Sequence, residues 1–120
     1  MTQILECGRT IAGEYVAFDI SWEGDLSRGT VVWSMEVASA DGAEKVRLSH
    51  QRVDGGGAEQ FVDDLATGRR QSLDADAEVG DAEITARFPA NIVGVAVEWP
   101  VWRAVVTVDG RDVAERVAAA

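Results

Sequence analysis

Along most of the chain apolar and polar residues alternate with period two, the spacing of a strand that lays one face on a core and the other in water. From Gly13 to Glu23, Val16, Phe18, Ile20 and Trp22 form the apolar face, and Ala17, Asp19, Ser21 and Glu23 occupy the other. Thr30 to Ala38 repeats the pattern with Val31, Trp33, Met35 and Val37 inward, and Glu23 to Gly29 supplies the turn between the two. Asp41-Gly42 introduces a strand from about Glu44 to Val53, and Asp54-Gly55-Gly56-Gly57 closes a further hairpin. Phe61, Val62 and Leu65 also fit a helical stripe. However, Glu59 to Leu65 is short and lies between two Gly-centred turns, so a strand is predicted, with Arg69 to Leu73 returning after Ala66-Thr67-Gly68-Arg69. Asp81 to Phe88 alternates again, placing Ala82, Ile84, Ala86 and Phe88 inward, and Pro89 ends it.

Near the C-terminus the alternation changes sides. Val95, Val97 and Trp99 put the apolar face on odd numbers, whereas Trp102, Ala104, Val106 and Val108 put it on even ones. A bulge or strand break at Pro100-Val101 is the economical explanation, because one inserted residue reverses the alternation and proline cannot donate to a central ladder. Asp109-Gly110 marks a last hairpin, and 111–120 is either a final strand or a short Ala-rich helical tail. About eight strands joined largely by hairpins predict an all-β, single-domain antiparallel β-sandwich over 1–120, with a closed up-and-down β-barrel as the alternative.

Composition agrees with one core. A chain of 120 residues with 47% hydrophobic and 27% charged residues buries enough surface to fold without a disulfide or structural metal. The lone Cys7 fits a reducing compartment, and no basic leader with an apolar stretch precedes the strands, so a cytoplasmic protein is expected. Against 21 acidic residues stand 11 basic ones, a net charge of -10, which argues against nucleic acid and anionic membrane as partners. The charge is regional: 54–83 holds nine acids and two arginines, so a cationic partner would be sought there.

Candidate chemistry is sparse. The single histidine, His50, shares a face with Val46 and Leu48, and its neighbour Ser49 points to the opposite side, which prevents a Ser–His pair. Only the fold could bring Cys7 to it. Gly55-Gly56-Gly57 lacks the Lys-Ser/Thr of a phosphate loop. One His and one Cys cannot build a usual transition-metal site, but calcium needs only oxygens, and Asp74, Asp76, Glu78 and Asp81 supply carboxylates in one loop. The EF-hand pattern fails, with Gly80 at the seventh position and Thr85 at the twelfth; the plainer reading is a solvated acidic loop.

Of four tryptophans, Trp22 and Trp33 continue apolar faces and belong to the core, while Trp99 and Trp102 flank the expected bulge and are the candidates for an exposed, partner-binding aromatic. Folding about the 54–57 turn is expected to set Arg52 opposite Glu59 and Arg47 opposite Asp64, so cross-strand pairing accounts for the basic residues. The function expected from this pattern is recognition, with no catalytic activity and no organic cofactor: an accessory module that binds a protein partner or a second copy of itself. The alternatives are a calcium- or carbohydrate-binding module, and a barrel enclosing a small apolar ligand.

Overall fold

A computed structural model describes residues 2–54 and 56–117. It contains ten strands: β1 (Gln3–Ala12), β2 (Tyr15–Glu23), β3 (Thr30–Ala38), β4 (Lys45–Val53), β5 (Ala58–Asp64), β6 (Arg69–Asp74), β7 (Ala77–Val79), β8 (Glu83–Pro89), β9 (Val101–Val108) and β10 (Arg111–Val117). They form two antiparallel sheets, one of four strands in the order β1-β2-β8-β7 and one of six in the order β10-β9-β3-β4-β5-β6. The sandwich is therefore confirmed. The barrel alternative is corrected, because among the described residues no strand pairing joins one sheet to the other.

The inward positions are those the alternation predicts, with one correction: Ala82, expected inward, is exposed in the turn before β8, which begins at Glu83. Val16, Phe18, Ile20 and Trp22 of β2 and Ile84, Ala86 and Phe88 of β8 meet Val31, Trp33, Met35, Val37, Leu48, Trp102, Ala104 and Val106 from the facing sheet. Large side chains fill the space between layers: the Phe18 and Phe88 rings lie 5.7 Å apart, and Trp22 and Trp33 lie 5.4 Å apart across the sheets. Each such side chain contributes about 1.5–3 kcal/mol by leaving water, so this one apolar layer dominates the stability.

Two strands escaped the pattern because both are edges. In β1 only Ile4 is buried, and a bulge between Ile4 and Glu6 interrupts the alternation. β7 is three residues long. Bulges also mark β10, between Asp112 and Ala114, and such irregularity discourages edge-to-edge aggregation. The β1 bulge has a local use: Arg116 of β10 donates to the Leu5 carbonyl at 2.6 Å, tying the edges of the two sheets together.

The second correction concerns 90–98. Val95 and Val97 do not lie on a strand; Ala90–Val93 forms one α-helical turn (α1) and Gly94–Glu98 a 3-10 turn, which together carry the chain from β8 across to β9. The switch of apolar parity is therefore a change of secondary structure: of a bulge or a strand break at Pro100-Val101, the bulge is corrected, and β9 starts at Val101 directly after Pro100. Val93, Ala96 and Val97 are the buried residues here, the i, i+3, i+4 spacing of a helical face, and Val95 is exposed. The third correction is one of register: Arg52 faces Ala58 and Arg47 faces Asp63, one residue from the pairing expected. For the C-terminal segment, Arg111–Val117 is a strand, and 118–120 lies outside the described residues.

Candidate functional site

The outer face of the six-stranded sheet is unusual for a surface that no other element among the described residues covers. Ser34, Ser49, Phe61 and Val105 point away from the core, yet each is 3–7% exposed. Small residues on the central strands β3 and β4 make a shallow trough, and longer side chains from neighbouring strands wall it. At its centre the Ser34 and Ser49 hydroxyls are 3.0 Å apart. Phe61 lies under the Arg70 guanidinium at 4.4 Å, and Asp63 holds that guanidinium in place at 2.7 Å.

Beside the trough Glu36 collects three cations: Arg47 at 3.0 Å, Arg103 at 3.3 Å and Lys45 at 3.9 Å. Arg103 bonds Glu115 on β10 as well. Burial opposes ionisation of Glu36, but hydrogen bonds and charge from Arg47 and Arg103 outweigh it and hold its pKa below the ordinary value. Arg47 Nε is buried without a partner. Glu36→Gln should cost about 1–2 kcal/mol, a figure kept low because the cations are partly exposed and screened. The carboxylate is favoured only in the folded state, so its contribution is present above pH 4.5 and fades as pH falls below it. Urea melts of both proteins from pH 7 to 3 should converge at the acid end.

A second polar network crosses the core. Gln60, fully buried on β5, donates to the Arg87 carbonyl of the facing sheet at 2.8 Å; its Oε1 accepts from the Asp76 backbone N–H at 3.0 Å. His50 Nδ1 lies 2.9 Å from the same Oε1, so Nδ1 carries the proton of the neutral ring. Burial lowers the His50 pKa, only partly offset by the bond to Gln60. As expected, Ser49 faces outward and His50 inward. Cys7 lies on the other sheet, where Sγ approaches the Arg116 carbonyl at 3.8 Å and burial pushes its pKa up; this is the reverse of thiol activation.

The structure separates the four acidic candidates. Asp76 and Glu78 both pair with Arg87, at 3.1 and 3.8 Å, whereas Asp74 ends β6 opposite Glu59 and Asp81 sits in the β7–β8 turn. Among the described residues no three His, Cys, Asp or Glu side chains gather as a metal site. Trp102 is not exposed: it is 2% accessible, with Arg9 stacked on its ring at 4.5 Å and its indole N–H donating to the Trp99 carbonyl at 2.8 Å. Trp99 is half-buried against the core, and its carbonyl also takes a bond from Arg9 at 2.7 Å. The corner is an internal clasp joining β1 to β9. The outer-face trough, which sequence reasoning missed, leaves one trace in the pattern: Ser34 and Ser49 are small residues at outward positions of two central strands.

No known protein family, curated protein or solved structure matches this chain. Among the described residues no helix is long and apolar enough to cross a membrane.

Proposed function

We propose that the protein is a non-catalytic recognition module that receives a protein partner, or a second copy of itself, on the outer face of its six-stranded sheet. The observation that carries this reading is the trough: a floor of Ser34, Ser49, Phe61 and Val105 already shielded from water, over which no strand or helix among the described residues lies. Packed, shielded floors ringed by arginine resemble the centres of protein interfaces, where arginine and aromatic residues concentrate the binding energy. Four of the 11 basic residues, Lys45, Arg47, Arg70 and Arg103, stand on this face of an otherwise acidic molecule. Each of these cations is already paired with Glu36, Asp63 or Glu115, so the face offers a partner arginine stacking and hydrogen bonds in place of net positive charge.

The test uses Val32→Glu with Arg70→Glu, which changes two trough residues and leaves the inward face and the Glu36 cluster alone. Wild-type protein should recover a defined partner, or form a dimer by light scattering, and the double variant should lose it while still unfolding as one cooperative transition, at a melting temperature lowered by the lost Arg70–Asp63 pair. A monomeric wild type that captures the same proteins as the variant would sink the proposal.

A further inference from the structure

The register of the six-stranded sheet lines up its outward side chains in rows that cross the strands. In one row Arg103 of β9, Glu36 of β3, Arg47 of β4, Asp63 of β5 and Arg70 of β6 stand opposite one another, so the charge changes sign from each strand to the next, and Val117 of β10 ends the row. The row beside it runs Glu115, Val105, Ser34, Ser49, Phe61 and Ser72, with the two serines at its middle. Within the charged row each group already has a neighbour of opposite sign: Arg103 and Arg47 lie 3.3 and 3.0 Å from Glu36, and Arg70 lies 2.7 Å from Asp63. Little net charge is left over, so what a partner meets on this face is the pattern of signs.

That pattern is complementary to itself. Turning a second copy over about an axis that runs parallel to the strands, between β3 and β4, reverses the order of the strands and keeps each row at its own level. β3 then lies over β4 and β9 over β5, which sets Glu36 against Arg47 and Arg103 against Asp63 of the second copy, opposite signs at all four positions. The same rotation sets Val105 against Phe61 and Ser34 against Ser49 in the neighbouring row. On the far side of the charged row it sets Val101 against Leu65, which are 44% and 39% exposed. We propose that two copies of the chain pack their outer faces together about this two-fold axis, so that the partner received in the trough is the protein itself; the proposal rests on the reading of this face as a recognition surface. The small serines at the axis let the sheets approach to the ~10 Å of a packed sandwich. Covering the exposed Val101, Leu65 and Val117 supplies affinity, and the charged row fixes the register. Six strands about 4.8 Å apart, each with about eight residues at about 3.3 Å, make a face of roughly 750 Å², close to the ~800 Å² per partner of a stable interface. Asp112 and Asp74 meet like charges only at the corners, which the twist of the sheets turns apart.

Exchanging charges between copies tests the register. The wild-type chain should scatter light as a dimer at about 100 μM, well above the micromolar dissociation constants at the weak end for interfaces of this area. Arg103→Glu sets a carboxylate against Asp63 of the second copy, and Asp63→Arg sets a guanidinium against Arg103; symmetry makes each clash twice, so each variant should dimerise roughly a hundredfold more weakly or worse. Mixed in equal amounts, the two variants should dimerise again, because each then presents the charge the other lacks, whereas damage confined to one chain would not be cured by mixing. Val101→Lys, at an exposed position, should break the dimer as well and serves should either charge variant fail to fold. A wild type that stays monomeric at about 100 μM overturns the inference. Capture of another protein that is lost in the Val32→Glu, Arg70→Glu variant would then keep the recognition reading, and no such capture would end both. The inference is equally overturned by a dimer that survives Val101→Lys, or by folded charge variants that stay monomeric when mixed.

Discussion

Gln60→Leu should lower the unfolding free energy by about 2–5 kcal/mol, although leucine is close in size and better suited to an apolar interior. The reason lies in what is left behind. Gln60 closes three bonds, to the Arg87 carbonyl, the Asp76 N–H and His50 Nδ1–H, and each loses its partner inside or at the margin of the core. Those bonds join β5 of one sheet to β8 of the other and to the β6–β7 crossing, so the loss is of alignment between layers as well as of hydrogen bonds. Urea denaturation at pH 7 should show the drop with an unchanged m value. A loss under about 0.5 kcal/mol would show that the network contributes no more than an ordinary surface contact.

The same network sets a pH dependence. The His50 pKa is lowered in the fold by burial, so between 6.5 and that lowered value the unfolded chain takes up a proton that the native protein refuses. Stability from this group is complete above pH 6.5 and declines below it, by at most about 1.4 kcal/mol per pH unit. His50→Phe should flatten that part of the profile.

Trp33→Ala should be the most damaging single change, costing about 3–5 kcal/mol, a large share of the stability of a small domain. Trp33 is fully buried, and its ring is the common neighbour of Trp22 at 5.4 Å, His50 at 6.0 Å and the Arg52 guanidinium at 5.1 Å. Alanine would leave a cavity where the two sheets meet and would deprive Arg52 of its aromatic seat. Trp33→Phe separates volume from polarity: it keeps an aromatic ring and removes a buried N–H that has no partner. Its cost should fall below half that of the alanine variant, measured by thermal and urea unfolding of the three proteins side by side. Equal losses would mean that the indole N–H is well satisfied and that its removal is what hurts.

The two networks behind these predictions were unequally visible beforehand. Val16, Phe18, Ile20, Trp22, Trp33 and Leu48 announce themselves by alternation, and the structure buries each of them. Gln60 gives no such signal, since a polar residue at an inward position reads as an interruption until the carbonyl of Arg87, 27 residues away, is seen opposite it. Trp102 differs from its expected exposure for a related reason. A parity change suggests a bulge that re-aims it, but helical turns at 90–98 cause that change and Trp102 folds inward under Arg9, leaving Trp99 half-buried beside it. Asp76 and Glu78 looked free for a cation because Arg87 belongs to the next strand.

By itself the sequence determined the class of fold, the hairpins and the inward face of nearly every long strand, because alternation and turn chemistry act between residues a few positions apart. Only the tertiary structure decided which sheet each hairpin joins and how Lys45, Arg47 and Arg103 from two different strands converge on Glu36. The same holds for the trough on the outer face and for the row of alternating charges beside it. Those features depend on contacts between strands far apart in the chain, and a period of two says which way a side chain points but not what it will find there.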